Sequence, residues 1–159
     1  MRDRPILQLA TGLGAGRLPV APGTAGSILG LGYWWLLLSL SPSVWFYLGV
    51  CAVGIVFGVW CSGLAAQILQ ERDPSCVVID EIVAVPLALF GLDSHGNNLW
   101  LVVMAFVLFR VFDVWKPTPI RQVQRWPGGV GIVADDVLAA AYACAATHAI
   151  VWLITWIKR

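Results

Sequence analysis

The sequence predicts an all-α, polytopic membrane protein, a bundle of about four to five membrane helices behind a Gly/Pro-rich N-terminal loop. Three observations support this fold class. Only 12% of the 159 residues are charged, whereas about 25% is usual in soluble domains. Hydrophobic residues make up 59% of the chain and nine residues are tryptophan. The mean hydropathy is +0.81, and a soluble fold of this length could not bury so much apolar surface.

The chain reads as a single domain, residues 1–159, divided into a loop and a series of apolar segments. Glycine and proline recur over residues 11–27, so residues 1–27 are predicted to form the loop and residues 28–157 the helices. The apolar segments are residues 27–40, 43–69, 77–92, 99–115 and 132–157. The first is short for a span, because about 14 residues rise roughly 21 Å against a hydrocarbon core of about 30 Å.

Basic residues predict the orientation of these segments. With the N-terminus in the cytoplasm, the two short outside loops, residues 41–42 and 93–98, contain no Lys or Arg. The inside segments, residues 1–26, 70–76 and 116–131, contain seven basic residues: Arg2, Arg4, Arg17, Arg72, Lys116, Arg121 and Arg125. The positive-inside rule therefore favours a cytoplasmic N-terminus and an external C-terminus. Only Lys158 and Arg159, at the C-terminus, argue against this orientation.

Acidic residues within the apolar segments are the strongest functional signal. Asp80 and Glu81 open the third segment, Asp113 closes the fourth, and Asp135 and Asp136 open the fifth. Each costs free energy in a membrane, and such residues are usually functional, paired or both. In the predicted topology all three segment ends lie at the cytoplasmic face, together with the Gly/Pro loop. The sequence therefore predicts that these separated motifs converge on one membrane face.

A cluster of four or five carboxylates would repel itself unless it took up protons or cations. Oxygen ligands without His or Cys suit a hard cation such as Mg²⁺. Arg110 and Lys116 flank Asp113 at helical spacing, and Arg121 and Arg125 follow on the same side. A metal with Arg and Lys is the usual equipment for binding phosphate.

Structural explanations compete with each of these assignments. Arg110 and Asp113 are spaced to form an intrahelical ion pair, and Asp80 and Asp135 would favour a positive helix N-terminus. Thr24 and Ser27 suit either helix caps or hydroxyl ligands at the start of the first segment. His95 and His148 are expected to be structural. The net charge of +1 without a basic stripe argues against a nucleic-acid partner.

Four ordered stretches resemble the motifs of the phosphatidylglycerophosphatase A family. They are T-G-L-G-A-G-R-L-P-V-A-P-G-T-A-G-S (11–27), D-P-S-C-V-V-I-D-E-I-V-A (73–84), F-R-V-F-D-V-W-K-P-T-P-I-R (109–121) and G-G-V-G-I-V-A-D-D-V-L-A (128–139). The resemblance extends over about residues 8–142. Gln124 stands where many relatives are expected to have an acidic residue, and Ala84 and Ala140 stand where glycine is expected.

The resemblance implies Mg²⁺-dependent dephosphorylation of phosphatidylglycerophosphate, a membrane phospholipid, to phosphatidylglycerol at the cytoplasmic face of a bacterial inner membrane. The catalytic residues that it implies are Asp80, Glu81, Arg110, Asp113, Lys116, Asp135 and Asp136. Asp80, Glu81, Asp135 and Asp136 are the expected metal ligands. The substrate-binding residues are expected to be Arg17, Pro22, Gly23, Thr24, Ser27 and Arg121.

The mechanism is a hypothesis at this point. Metal-activated water is the expected nucleophile, with Asp113 or Asp136 as general base, and a covalent aspartyl-phosphate route stays open. Arg110, Lys116 or Arg121 would stabilise the transition state. The alternative function is a small transporter or channel subunit that uses the acidic residues as a cation site. A cation path needs polar residues through the depth of the bilayer, whereas these acids cluster at one face.

Overall fold

The computed structural model describes residues 3–40, 43–92 and 99–159, and the regular structure within them is entirely helical. This confirms the predicted all-α membrane bundle. The helices are α1 (Asp3–Ala10), α2 (Pro22–Leu40), α3 (Val44–Leu69), α4 (Ile79–Ala88), α5 (Leu99–Trp115), α6 (Ile120–Val123) and α7 (Gly129–Ile157), with a 3₁₀ segment at Gly12–Arg17. The two predicted outside loops, with His95, lie outside the described residues, as do residues 1–2.

Helix length separates the membrane helices into three kinds. Helices α2, α3 and α7 have 19, 26 and 29 residues and are long and apolar enough to cross a membrane. Helix α5 has 17 residues, which rise about 26 Å and are near the lower limit for a span. Helix α4 has 10 residues, and its rise of about 15 Å is half the thickness of the hydrocarbon core.

The prediction of a loop over residues 1–27 is wrong. Helix α1 and the 3₁₀ segment occupy much of it, and α2 already begins at Pro22. Proline is tolerated in the first turn of a helix, because the N–H that it lacks would have no partner there. Ala21 has a φ of 49° and turns the chain into α2. The first membrane helix is therefore five residues longer than the 14 predicted, and its length suits a span.

Two other predicted boundaries are also wrong. The third apolar segment was expected over residues 77–92, but α4 ends at Ala88 and the chain turns at Gly91, which has a φ of 79°. The fifth was expected from Ile132, but α7 begins at Gly129. A side chain at Gly129 would collide with the Val59 carbonyl of α3, so this glycine permits close helix packing.

Helix α4 lies at the centre of the bundle and packs against α2, α3, α5 and α7. Eight of its ten residues are buried. Its apolar side chains Ala84, Val85 and Ala88 belong to the same core as Phe109 of α5. Alanines on α7 complete that core and let the helices approach closely: Ala139, Ala140 and Ala143. The large side chains on the outer faces of α3 and α5 are exposed, as expected for lipid contact.

Candidate functional site

Helix α4 contributes two buried carboxylates in its first turn. Asp80 is 8% exposed and Glu81 is 9% exposed. The positive end of the helix dipole favours acidic side chains at this position. One oxygen on each, Asp80 Oδ1 and Glu81 Oε2, is buried without a hydrogen-bond partner among the described residues. The helix dipole alone therefore does not explain Asp80 and Glu81, because it leaves these two buried oxygens without hydrogen bonds, which costs free energy.

Helix α7 contributes a second acidic pair. Because α7 begins at Gly129, Asp135 and Asp136 lie in its second turn, whereas the sequence predicted them at its start. They are 3% and 4% exposed. Asp135 Oδ1 and Asp136 Oδ2 also lack hydrogen-bond partners within the described part of the chain. Both pairs therefore present unsatisfied carboxylate oxygens to the same interior.

Asp80, Glu81 and Asp136 form what we term the acidic trio. One carboxylate oxygen of each lies within 4.8 Å of those of the other two. Asp135, which was predicted with them as a metal ligand, is not in this trio, and its Oδ2 pairs with Lys116. Two helices that are far apart in the chain thus meet at one set of three carboxylates.

Helix α5 contributes an arginine and an aspartate one turn apart. Arg110 Nη1 donates to Asp113 Oδ2 at 2.7 Å and to Ser27 Oγ at 3.3 Å. It also lies 3.7 Å from Glu81 Oε1. The predicted intrahelical ion pair is present, but the same guanidinium joins α2 and α4 as well. Arg110 therefore connects three helices at the edge of the acidic trio.

Lys116 follows the end of α5 and links that helix to α7. Its Nζ donates to Asp135 Oδ2 at 2.5 Å and lies 4.0 Å from Asp113 Oδ1. Burial alone would lower the pKa of Lys116, but the hydrogen bond to Asp135 and the neighbouring carboxylates outweigh burial and raise it. Lys116 therefore stays protonated at neutral pH.

The first turns of α2 close over the site. A Cβ at Gly23 would collide with Glu81 Oε1, and one at Gly26 would lie 2.6 Å from Val78 Cβ. Ser27 Oγ donates to the Gly23 carbonyl at 2.8 Å, so its predicted role as a helix cap is wrong: it lies inside α2. Pro22 and Thr24 are partly buried in the same turn. Glycines thus let α2 approach the carboxylates closely.

Two predicted substrate-binding residues are not brought into this cluster. Arg17 and Arg121 are exposed, and neither forms an ion pair or side-chain hydrogen bond with another described residue. His148 contacts the Phe90 carbonyl at 2.9 Å, in keeping with the structural role expected for it. The predicted convergence therefore holds for the carboxylates, Arg110, Lys116 and the start of α2.

Sequence reasoning missed two features near the site. Gly26 is needed for the approach of α2 to α4, and its only signal was its place in a glycine-rich stretch. The second is a clasp between two loops: Arg72 donates to the Arg125 carbonyl at 2.6 Å, and Gln124 donates to Asp73 Oδ2 at 3.1 Å. Nothing in the sequence pairs Asp73 with residue 124.

The arrangement fits a divalent cation. Five carboxyl groups face two cations, Arg110 and Lys116, so the acidic groups of the cluster outnumber the basic ones. The acidic trio offers oxygen ligands only, which is the set that hard cations such as Mg²⁺ prefer. Buried oxygens without partners are the atoms that such an ion would satisfy. The adjacent Arg110 and Lys116 suit an anionic group next to the ion.

Comparison with known proteins agrees with this chemistry. A Bacteroides thetaiotaomicron protein, provisionally named as a phosphatidylinositol-3-phosphatase, is 37% identical over 153 residues, which are 94% of this chain and 95% of that protein. Phosphatidylglycerophosphatase A of Escherichia coli is 36% identical over 138 residues, 86% of this chain and 78% of the relative. The Haemophilus influenzae protein of the same name is 38% identical over 159 residues, with 94% and 91% covered. No solved structure matches the chain.

The family profile for phosphatidylglycerophosphatase A matches residues 8–151, which include every residue of the site. The relatives share more than 30% of their residues with this chain over most of its length. The chain therefore belongs to the phosphatidylglycerophosphatase A family.

Proposed function

We propose that this protein hydrolyses the terminal phosphomonoester of phosphatidylglycerophosphate and releases phosphatidylglycerol and inorganic phosphate. The observation that carries the proposal is the acidic trio beside Arg110 and Lys116 at one end of a membrane bundle. Metal ligands next to phosphate-binding cations suit phosphoryl chemistry. The names of two relatives point to the same substrate.

Mg²⁺ is the proposed cofactor, and Asp80, Glu81 and Asp136 are its proposed ligands. When bound, the ion supplies neutralisation of phosphate oxygens and a more acidic water. Asp135 supports the site from outside the trio by holding Lys116 with one oxygen. Its second oxygen has no hydrogen-bond partner among the described residues and faces the same interior.

Arg110 is the proposed phosphate-binding residue. Its Nη1 is held by Asp113 and Ser27, which fixes the plane of the guanidinium. An arginine has five N–H donors, so the others are available to a phosphate. The Arg110 side chain is 21% exposed, which leaves room for a ligand. Lys116, protonated and fixed by Asp135, supplies the second positive charge.

Asp136 is the proposed general base. Asp113 was the other candidate, but its two oxygens face Arg110 and Lys116, which suits a positioning role. In the proposed reaction a water oxygen forms a bond to phosphorus while its proton passes to a carboxylate. The ester P–O bond breaks, and the leaving glycerol oxygen takes up a proton. The products are the alcohol and inorganic phosphate.

The proposed location is the cytoplasmic face of a bacterial inner membrane. The distribution of Lys and Arg favours this orientation of the polar end. A transporter or channel is less well supported, because the Asp, Glu, Lys and Arg residues within the described helices α2 to α5 and α7 all belong to the site at that end. A cation path would need such residues at greater depth.

The test is phosphate release from phosphatidylglycerophosphate by the purified protein in detergent, with Mg²⁺ or with EDTA. We expect release in Mg²⁺, none in EDTA, and a loss of about 100-fold or more in Asp80→Asn. Asp3→Asn, an exposed residue of α1, is the matched control and should retain full activity. A folded preparation that releases no phosphate in Mg²⁺ would refute the function.

A second substrate belongs in the same assay because of the relative from Bacteroides thetaiotaomicron. Phosphatidylinositol 3-phosphate carries its phosphomonoester on an inositol ring, whereas phosphatidylglycerophosphate carries it on a primary alcohol. We expect a higher kcat/KM for phosphatidylglycerophosphate. The reverse preference would keep the metal site and the reaction but replace the substrate.

A further inference from the structure

A groove on the outer face of α5, termed the α5 groove, has a volume of about 460 Å³. Its lining residues lie on successive turns of one helix face: Phe106, Val107, Arg110, Val111, Val114 and Trp115. Arg110 is the one charged residue among them. The same guanidinium contacts Ser27, Asp113 and Glu81. The apolar groove therefore includes a side chain of the proposed active site, between Val107 and Val111.

The apolar surface continues along α5 away from the site. A second hollow of about 580 Å³ is lined by residues between Leu99 and Leu108, and it shares Val107 with the first. From Arg110 to Leu99 the helix rises about 17 Å. One leaflet contributes about 15 Å of the hydrocarbon core. The apolar strip between Arg110 and Leu99 therefore matches in length the depth that an acyl chain occupies in one leaflet.

Helix α3 has a hollow of similar size that lacks this connection. It measures about 540 Å³ and is lined by Ala52, Val53, Val56, Phe57 and Trp60. Helix α3 contains no Asp, Glu, Lys or Arg from Val44 to Leu69. Volume and apolarity therefore do not distinguish the two surfaces. The distinguishing feature is Arg110, which gives the α5 groove a charge complementary to a lipid phosphate.

We propose that the α5 groove holds an acyl chain of the phospholipid substrate while Arg110 holds its phosphate. This inference rests on the proposed function. The lipid reaches the site sideways from its own leaflet, with its headgroup at the level of Arg110 and its chain along Val107 and Phe106. Apolar contacts along the groove contribute to affinity in proportion to the area that they bury.

Photo-crosslinking tests the groove without any substitution. The probe is a phosphonate analogue of phosphatidylglycerophosphate, which resists hydrolysis and carries a diazirine midway along one acyl chain, in phosphatidylcholine vesicles with Mg²⁺. We expect mass spectrometry to find more label on residues 99–115 than on α3, and the same phosphonate analogue without the diazirine to displace it. Equal labelling of the two helices, or displacement by added phosphatidylcholine as well, would show ordinary annular lipid and overturn the proposal.

A matched pair of variants tests the same point by kinetics. Val107→Trp fills the α5 groove on the side of Arg110 where the chain is placed, and Val56→Trp adds the same bulk to α3; the two valines are 51% and 70% exposed. We expect Val107→Trp to lower kcat/KM for the dioleoyl substrate about tenfold, through KM, as for lost contact with a few methylene groups. Val56→Trp should match the wild type. Equal kinetics in Val107→Trp and the wild type would refute the groove, whereas an inactive wild type would refute the proposed function instead.

Discussion

Helices α3 and α4 are both rich in apolar residues, but α3 exposes them on its surface and α4 buries them inside the bundle. Helix α3 has 26 residues without a single Asp, Glu, Lys or Arg, and large side chains such as Trp45, Val56 and Trp60 are exposed on it. Helix α4 has 10 residues, two of them acidic, and eight are buried. The length and surface of α3 suit the bilayer. Helix α4 is too short to span it and is surrounded by protein, where carboxylates can be held.

The difference shows where charge is tolerated in a small membrane bundle. Asp80 and Glu81 are shielded from lipid by the four helices packed around α4. Ionisable residues in membranes face the bundle interior and find partners there. A helix of half the membrane thickness also places its first turn, with both acids, at one end of the molecule. Two of their neighbours come from other helices, Arg110 of α5 and Asp136 of α7. Arg110 in turn contacts Ser27 and Asp113.

The largest expected effect comes from neutralising Asp136, which is the member of the acidic trio that lies on α7. Asp136→Asn should lower kcat by about 100-fold or more, because it removes both a proposed metal ligand and the proposed general base. The measurement is phosphate release in saturating Mg²⁺. Asp3→Asn controls for the loss of one carboxylate elsewhere. Activity within threefold of wild type in Asp136→Asn would remove this residue from the site.

A comparable loss is expected when the shape of the phosphate-binding cation changes. Arg110→Lys keeps the charge but loses the planar fork that Asp113 and Ser27 hold. We expect kcat/KM to fall by about 10- to 100-fold. Arg4→Lys, at an exposed residue of α1, is the matched control. Normal kinetics in Arg110→Lys would mean that the positive charge of this side chain matters and the shape of its guanidinium does not.

A smaller effect tests the close contact between α2 and α4. Gly26→Ala places a Cβ 2.6 Å from Val78 Cβ and 3.3 Å from Glu81 Oε2, so the helices must separate. The expected cost is about 1–3 kcal/mol of stability, together with reduced activity. Thermal unfolding in detergent measures the first effect and phosphate release the second.

Gly32→Ala on the same helix is the control, because a Cβ there would meet no atom of the described residues within 4 Å apart from its own turn of α2. It should be neutral or stabilise the protein by up to about 1 kcal/mol through helix propensity. Equal stability in Gly26→Ala and Gly32→Ala would contradict the close packing of α2 on α4.

The carboxylates were predictable from the sequence because their cost in an apolar segment makes them conspicuous. Segment order and the positions of Asp80, Asp113 and Asp136 sufficed to predict that they meet. Trp115 was correctly predicted as the end of α5, because Pro117 follows closely.

Features that depend on tertiary packing were not predictable. Glycine and proline were interpreted as loop residues over 11–27, whereas Gly23 and Gly26 lie inside α2 because α4 passes close to them. The conformational propensity of the residues in this stretch carries no information about a contact with another helix. The exposure of Arg17 and Arg121 also depends on the path of the chain beyond each motif. The hydrogen bond between Lys116 and Asp135 was not predicted for a similar reason, since Lys116 reaches Asp135 from another segment.

The most direct test of the central claim is a titration of the purified protein with Mn²⁺, as a spectroscopic substitute for Mg²⁺, followed by electron paramagnetic resonance. We predict at least one bound ion per chain in the wild type, and a loss of that binding in Glu81→Gln but not in Asp3→Asn. Equal Mn²⁺ binding by the wild type and Glu81→Gln, or no binding by an active wild type, would contradict a divalent-cation site built from the buried carboxylates of α4 and α7.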